Sequence, residues 1–377
     1  MAGSSKEGRL TRILFVSGTV PPAPCGVGDY TFRLAQSLAR IDNAETAILT
    51  GVTAAIPEGA RDVPIFPILN SWKLSQVFRV IRFLKFWKPH VVHVQYPTQG
   101  YGRGWLPYIV PLTARFMGVR SVQTWHEGFG RRHTGRLILL LSADSRKIVV
   151  RGNFLDCVDP RLRWVLKFCK LSFIANASAI PRASCSKDEL LDERRLLLQG
   201  QRRLIVFFGF LYPPKGVELL FEIADPVKDH VVIAGPAEKD SSYLAMLKAA
   251  AAKPEWQGKV TFTGFVSPER ASVLLAASDA VILPFRQGGG PWNTSIHSAS
   301  LNGCFVITTS KDRTGYDESS NVFYSRPDDI AEMRRALALH CQQRDNFIVD
   351  QAGPCDDWDI IARKHYLHYQ ELVAFDS

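Results

Sequence analysis

Short apolar runs alternate with helix-length amphipathic segments along this chain, and they do so in two separate series. In the first, runs at 13–17, 46–50, 91–95, 121–125, 147–151 and 171–175 read as strands, with helices expected over 30–40, 72–87 and 105–117. Strands that are apolar on both faces and separated by helices belong to a parallel sheet covered on both sides. The alternation pauses over 181–203, which is charged and has no strand pattern. It resumes with runs at 204–208, 230–234, 259–262, 280–283 and 305–309, and helices over 241–252 and 267–277. Two doubly wound α/β domains are therefore expected, each binding ligands beyond the C-terminal ends of its strands.

Composition limits the partners. At 377 residues the chain exceeds one ordinary core. Its 46% apolar and 22% charged residues are those of a globular protein. No apolar run has transmembrane length, and residues 1–11 lack the apolar core of a secretion signal. The seven cysteines are scattered and form no C-x-x-C pair, which argues against a disulfide framework or a zinc site. A cytoplasmic location is expected, and no metal or other cofactor. A net charge of +10 suits nucleic acid, an anionic membrane or an anionic substrate. Nucleic acid is not expected, because no helix-turn-helix, RNA-binding strand motif or zinc finger is present.

Three loops carry the candidate chemistry. After the run at 280–283 come Pro284, a glycine-rich loop with Gly288, Gly289 and Gly290, a short helical stretch, Gly303 and another strand. Such a loop brings backbone N–H groups and a helix N-terminus to an anionic group such as a diphosphate. Phe207-Phe-Gly-Phe-Leu-Tyr-Pro-Pro-Lys-Gly216 follows the first strand of the second series. Gly26-Val-Gly28-Asp-Tyr follows the first strand of the chain and opens a helix, but the third glycine of a dinucleotide fingerprint is Thr31. A nicotinamide or flavin site is thus disfavoured. Asp29 is read either as a helix cap or as a catalyst. His126, in Thr124-Trp-His-Glu127, ends a central strand, where a side chain meets the ligand region.

In order along the chain, these segments resemble the retaining GT-B glycosyltransferases of family 4. The resemblance spans 13–369 and implies a GT-B fold: two doubly wound, Rossmann-like domains facing a cleft. Its implied division is an acceptor-side domain over 1–185 and a nucleotide-sugar domain over 186–355. The amphipathic segment 356–377 is then a helix crossing back to the N-terminal domain; read by itself, it is a surface helix of the second domain. The resemblance implies transfer of a sugar from a nucleotide donor to an acceptor hydroxyl with retention, the acceptor being a lipid-linked or polysaccharide precursor.

The implied roles fall on named residues. His126 and Lys215 are catalytic. Gly26, Gly28, Lys215, Gly216, Gly288, Gly289, Gly290, Asn293, Thr294, Ser295 and His297 bind the donor. Asp29, Gln95, Tyr96 and Glu127 lie on the acceptor side. His297 either contacts the nucleotide or packs inside its helix. The pattern is also broken. The family's phosphate arginine is Phe210 here, and its paired glutamates fall at Gly290 and Ser298. Arg286 and Arg313 are the cations near enough in sequence to replace the missing one. These departures keep two alternatives open, a nucleotide-binding scaffold with weakened chemistry and a two-domain nucleotide-sugar epimerase.

The segment 72–88 carries a second expectation. Leu74, Val77, Phe78, Ile81 and Leu84 are spaced to pack on the sheet, while Arg79, Arg82, Lys85 and Lys88 step along another face flanked by Phe83 and Phe86. That is either a solvated helix face or a contact for an anionic membrane, giving peripheral attachment to its inner face.

Overall fold

The protein is described here from a computed structural model. The structure describes residues 10–23, 25–52, 62–128, 134–142, 146–152, 154–167, 169–178, 180–238, 240–290, 292–341 and 358–374. The chain forms two compact units, residues 1–176 with 356–377, and residues 177–355.

The first unit begins β1 (Thr11–Val16), α1 (Gly26–Ala39), β2 (Ala44–Gly51), β3 (Ile65–Leu69), α2 (Val77–Trp87) and β4 (Val91–Tyr96). It continues with α3 (Leu106–Phe116), β5 (Arg120–Trp125), α4 (Thr134–Ser142), β6 (Arg146–Val149), α5 (Pro160–Leu166) and β7 (Leu171–Phe173). The sheet runs β3-β2-β1-β4-β5-β6-β7, parallel throughout. Every residue of β4 is buried. A central strand covered on both faces gains about 1.5–3 kcal/mol for each large apolar side chain it removes from water. The strand order reverses at β1 and β4. The loops that leave those two strands diverge, and the opening between them is where this architecture binds ligands.

The second unit opens with α6 (Lys187–Leu198), within the charged segment that has no strand pattern. Its start is a capping box: Ser186 Oγ accepts from the Glu189 amide, and the Glu189 carboxylate accepts from the Ser186 amide. Then follow β8 (Arg203–Phe208), α7 (Leu220–Ile223), β9 (Asp229–Ala234), α8 (Ser242–Ala251), β10 (Val260–Gly264), α9 (Pro268–Ala277) and β11 (Ala280–Leu283). The unit closes with α10 (Thr294–Leu301), β12 (Phe305–Thr309), β13 (Gly315–Asp317), β14 (Val322–Ser325) and α11 (Ile330–His340). Its sheet runs β10-β9-β8-β11-β12-β14-β13, parallel except for the antiparallel β13–β14 pair. The reversal falls at β8 and β11.

The last helix, α12 (Trp358–Ala374), belongs to the first unit and packs on α1. It buries Ile361, Ala362, His365, Tyr366 and Tyr369. Arg40 pairs with Asp359 at 2.7 Å, and the Tyr366 hydroxyl donates to the Asn43 carbonyl at 3.1 Å.

Helix α2 packs in a different phase from the one its spacing suggested. Val80, Phe83, Leu84 and Trp87 face the core. Phe78 is 75% exposed, Leu74 48% and Phe86 73%. Residues 74–76 form a 3-10 turn, so the α-helical period starts at Val77 and the buried stripe is i, i+3, i+4, i+7 from Val80. Phe83 therefore lies beneath the sheet-facing side and does not flank the basic stripe. Phe78, Arg82, Lys85 and Phe86 share the outer face, with Lys88 exposed at the helix end. Arg79 is also exposed, but it donates to the Ile68 carbonyl at 2.9 Å and to Asn70 at 3.2 Å.

Candidate active site

In the second unit, the loops after β8 and β11 meet at the switch point. Gly216 has φ +65°, and a Cβ there would sit 2.2 Å from the Pro284 carbonyl oxygen. Only glycine fits both conditions. The Arg286 amide donates to the Pro214 carbonyl at 3.1 Å, which ties the two loops together a second time. Lys215 is seated by this packing, with its Nζ 4.4 Å from the centre of the Phe285 ring and 5.5 Å from that of Tyr212. A ring face holds an ammonium through its quadrupole and leaves its positive charge in place.

The glycine loop departs from the expectation that its amides meet a ligand. The Gly288 amide donates to Phe285 O at 3.0 Å and the Gly289 amide to Thr309 O at 2.6 Å. The Gly290 amide donates to Asn293 Oδ1 at 2.9 Å. All three serve to fold the loop, and Asn293, the N-cap of α10, spends its side chain there rather than on the helix. What is left for an anion is the helix start itself. The amides of Thr294 and Ser295 have no acceptor among the described residues, as the first amides of a helix require. His297 is half-buried on the same turn, its amide bonded to Asn293 O at 3.3 Å.

The positions of the missing residues have been filled. Ser298 is fully buried, with its hydroxyl 2.8 Å from Thr294 O and 2.9 Å from Ser178 Oγ. Gly290 is buried against the Trp292 ring. Neither proposed replacement arginine is directed to this site. Arg286 pairs with Glu218 (Nε to Oε1 2.9 Å) and with Asp328 (2.7 Å), while the Tyr243 hydroxyl donates to the other Glu218 oxygen. Arg313 lies 4.8 Å over the Tyr324 ring and 3.8 Å from Asp317. Sequence reading missed the part played by Phe285, Glu218 and Tyr243, since nothing local distinguishes them from core or surface residues.

In the first unit, the loops after β1 and β4 are packed by small residues. A Cβ on Gly18 would lie 2.1 Å from Thr98 Oγ1, and one on Gly28 would lie 2.9 Å from the Thr19 carbonyl oxygen. Gly26 is exposed, with nothing within 4 Å of its Cβ position. The amides of Gly26, Val27 and Gly28 have no acceptor among the described residues. Asp29 is not the cap of α1. The helix starts at Gly26 with Cys25 as N-cap, and Asp29 accepts from Arg33 Nε at 3.0 and 3.1 Å. Burial raises the Asp29 pKa, and Arg33 opposes the rise.

His126 follows β5, with its amide bonded to Tyr96 O at 2.9 Å. Its Nε2 lies 2.9 Å from Gln95 Oε1, and its ring meets the Tyr30 ring edge-on at 4.7 Å. Burial lowers its pKa to about 3, so the ring is neutral at physiological pH. Gln95 and Tyr96, expected on the acceptor side, are turned inward. Gln95 is fully buried between His126 and His93, and the Tyr96 hydroxyl lies 2.6 Å from that of Tyr108. The period-2 alternation within a fully covered strand gave no sign of this. Glu127 is exposed. Among the described residues, no group of three or more His, Cys, Asp or Glu is placed to hold a metal ion, and no helix is long and apolar enough to cross a membrane.

Residues 188–319 match the model of the family Glycosyl transferases group 1. The match takes in both loops of the second-unit site. No curated protein sequence matches the chain. Among solved structures, Anabaena HepE in complex with UDP and glucose superposes with a TM-score of 0.74 at 15% identity, covering 96% of this chain and 99% of that one. Sucrose-phosphate synthase from Thermosynechococcus elongatus gives 0.70 at 16%, covering 97% and 99%. The catalytic domain of starch synthase IV from Arabidopsis thaliana, bound to ADP and acarbose, gives 0.72 at 13%, covering 97% and 100%. The chain therefore has the GT-B fold of two Rossmann-like units.

Proposed function

We propose that this protein is a glycosyltransferase that moves a sugar from a nucleoside diphosphate donor to an acceptor hydroxyl, with retention at the anomeric carbon. The observation that carries the reading is the seating of Lys215: Gly216 against Pro284 and Phe285 beneath the ammonium hold one cation at the β8–β11 switch point. The family match over this segment and the nucleotides named in the similar structures support a nucleotide-sugar donor.

In this reading the diphosphate lies against Lys215 and the amides of Thr294 and Ser295. Negative charge grows on the diphosphate oxygen as its bond to the anomeric carbon breaks. Fixed positive groups aimed there lower the barrier without rearranging. The acceptor oxygen bonds to the anomeric carbon on the face the diphosphate leaves, and the acceptor proton passes to the departing phosphate oxygen. No protein nucleophile and no metal ion are invoked. In the first unit, the neutral His126 ring is read as a contact for a sugar hydroxyl. The outer face of α2, with Phe78 and Phe86 among Arg82 and Lys85, is read as contact with an anionic membrane, which makes a membrane-held acceptor the favoured class.

A second reading has its own observation. With Phe210, Gly290 and Ser298 in place of the arginine and the two glutamates, the chain suits a nucleotide-binding partner of weakened chemistry. Incubation with a panel of nucleoside diphosphate sugars, with product analysis, separates the readings. Free nucleoside diphosphate with a glycoside or free sugar supports transfer. Binding without turnover supports the second reading, and isomerised donor supports an epimerase.

A further inference from the structure

Behind His126 lies a chain of buried polar groups that the proposed chemistry does not use. Gln95 offers Oε1 to His126 Nε2 at 2.9 Å and Nε2 to His93 Nε2 at 3.3 Å. The same nitrogen of His93 lies 2.7 Å from Thr124 Oγ1. On its other side, His93 Nδ1 is 2.6 Å from the hydroxyl of Tyr369. Tyr369 in turn neighbours His365 Nδ1 at 3.5 Å, and His365 Nε2 is 3.0 Å from the Tyr30 hydroxyl. His93, Gln95, Thr124, His365 and Tyr369 are fully buried. Tyr369 and His365 stand on α12, and His93 and Gln95 on β4, so the chain joins a distant helix to the residue that meets the ligand.

We propose that α12 sets the tautomer of His126 through Tyr369, His93 and Gln95, so that the ring presents Nδ1 as a hydrogen-bond acceptor. The order of causes follows from donor and acceptor rules. The two ring nitrogens of a neutral imidazole differ, one donating and one accepting. The Gln95 amide nitrogen, which can only donate, faces His93 Nε2 at 3.3 Å, so the hydrogen of His93 sits on Nδ1 and the Tyr369 oxygen, 2.6 Å away, accepts it. His93 Nε2 is then an acceptor, served by the Thr124 hydroxyl and the Gln95 amide nitrogen. That contact turns Gln95 Oε1 toward His126, which must therefore carry its hydrogen on Nε2. His126 Nδ1 makes no hydrogen bond among the described residues. Its lone pair suits a hydroxyl on the ligand and rejects a phosphate or carboxylate oxygen, both of which only accept.

Tyr369 is thus a positioning residue. Its meaning for donor recognition rests on the reading of His126 given above, whereas the tautomer itself does not. In Tyr369→Phe the ring still fills its place, but His93 Nδ1–H loses its acceptor. A buried donor left without a partner is costly, and His93 relieves it by moving the hydrogen to Nε2, toward Thr124. Gln95 then turns its amide to face His93 with oxygen, and His126 receives an N–H at Nε2. Its own hydrogen moves to Nδ1.

The test is nuclear magnetic resonance of the free protein carrying 13C- and 15N-labelled histidine. Ring nitrogen and Cδ2 shifts distinguish the two tautomers, and His126→Gln identifies the signals of His126 among the nine histidines. The expected result is Nε2–H at His126 in the parent and Nδ1–H in Tyr369→Phe. An Nδ1–H parent, or a His126 that keeps its parent tautomer in the variant, overturns the proposal. Should Tyr369→Phe fail to fold, Gln95→Leu takes its place. His93 should then stay Nδ1–H while His126 populates both tautomers, and an unchanged His126 overturns the proposal. No donor is present in the measurement, so the result stands apart from whether sugar transfer is observed.

Discussion

His93 and His365 are fully buried and neutral, and acidification should therefore unfold the first unit with a steepness set by these two groups. Burial lowers the pKa of His365 to about 3 and that of His93 well below its ordinary value; His126 and His368 add to both shifts, and His365 adds to that of His93. In the unfolded chain both return to about 6.5. The unfolded state then binds more protons than the folded one at every pH between those values. No proton-linked cost exists above about pH 7; it begins as pH falls through about 6.5 and grows until the folded groups titrate. Between about pH 7.5 and about pH 5.5, linkage gives about 1.4 kcal/mol of lost stability per histidine, or about 3 kcal/mol for the pair. That is a large share of the 5–15 kcal/mol typical of a domain. The assay is hydrogen exchange of the peptide containing β4, corrected for intrinsic exchange rates, at a series of pH values. A loss of less than about 1 kcal/mol across that span would refute the reasoning, because it would mean that the pair is protonated or hydrated in the folded state. A His365→Gln variant should lose about half of the pH dependence.

Gly216→Ala should destabilise the second unit by about 2–4 kcal/mol, summing the left-handed backbone and the overlap with Pro284 O; an unchanged urea midpoint would show that the loop yields freely. Lys215→Ala should weaken nucleoside diphosphate binding about tenfold to a hundredfold, the worth of a charged hydrogen bond, and equal affinity by titration calorimetry would remove Lys215 from the phosphate site. His126→Ala should lower transfer while leaving the circular dichroism spectrum intact, and full activity would return His126 to a packing role. The protein should sediment with anionic vesicles but not neutral ones, with about 1 kcal/mol contributed by each basic residue near the surface and screening by salt. Replacing Arg82, Lys85 and Lys88 with Gln should abolish that difference, and equal recovery with both lipids would leave the outer face of α2 to solvent.

The sequence showed the central strands clearly, because runs such as Ala280–Leu283 are apolar on both faces. It hid β3, Ile-Phe-Pro-Ile-Leu, since Pro67 removes a ladder donor that only an edge strand can spare. Strand β13 is three residues with no apolar pattern. Helix α6 was announced by Ser186 and Glu189 at capping-box spacing, yet its charged composition concealed it. Of the site, Lys215, Gly216 and the start of α10 could be found from local spacing. The group around His93 could not, because Tyr369 is 276 positions away and Tyr30 and His365 are 335 apart. Buried polar partners leave no periodic trace, and only the packing of α12 on α1 brings them together.

That packing also fixes an order of events during synthesis. The second unit is one uninterrupted stretch, 177–355, whereas the first is assembled from residues on both sides of it. As the chain leaves the ribosome, the second unit can close while the first still lacks α12. Until then the Tyr30 hydroxyl and His93 Nδ1 lack the partners that α12 supplies, and the apolar face of α1 is open to water. Domains tend to fold from the N-terminus as they emerge, but here the N-terminal unit must wait and is completed last. A ribosome-bound chain stalled before α12 should therefore contain a protease-resistant second unit and a first unit that is still cleaved.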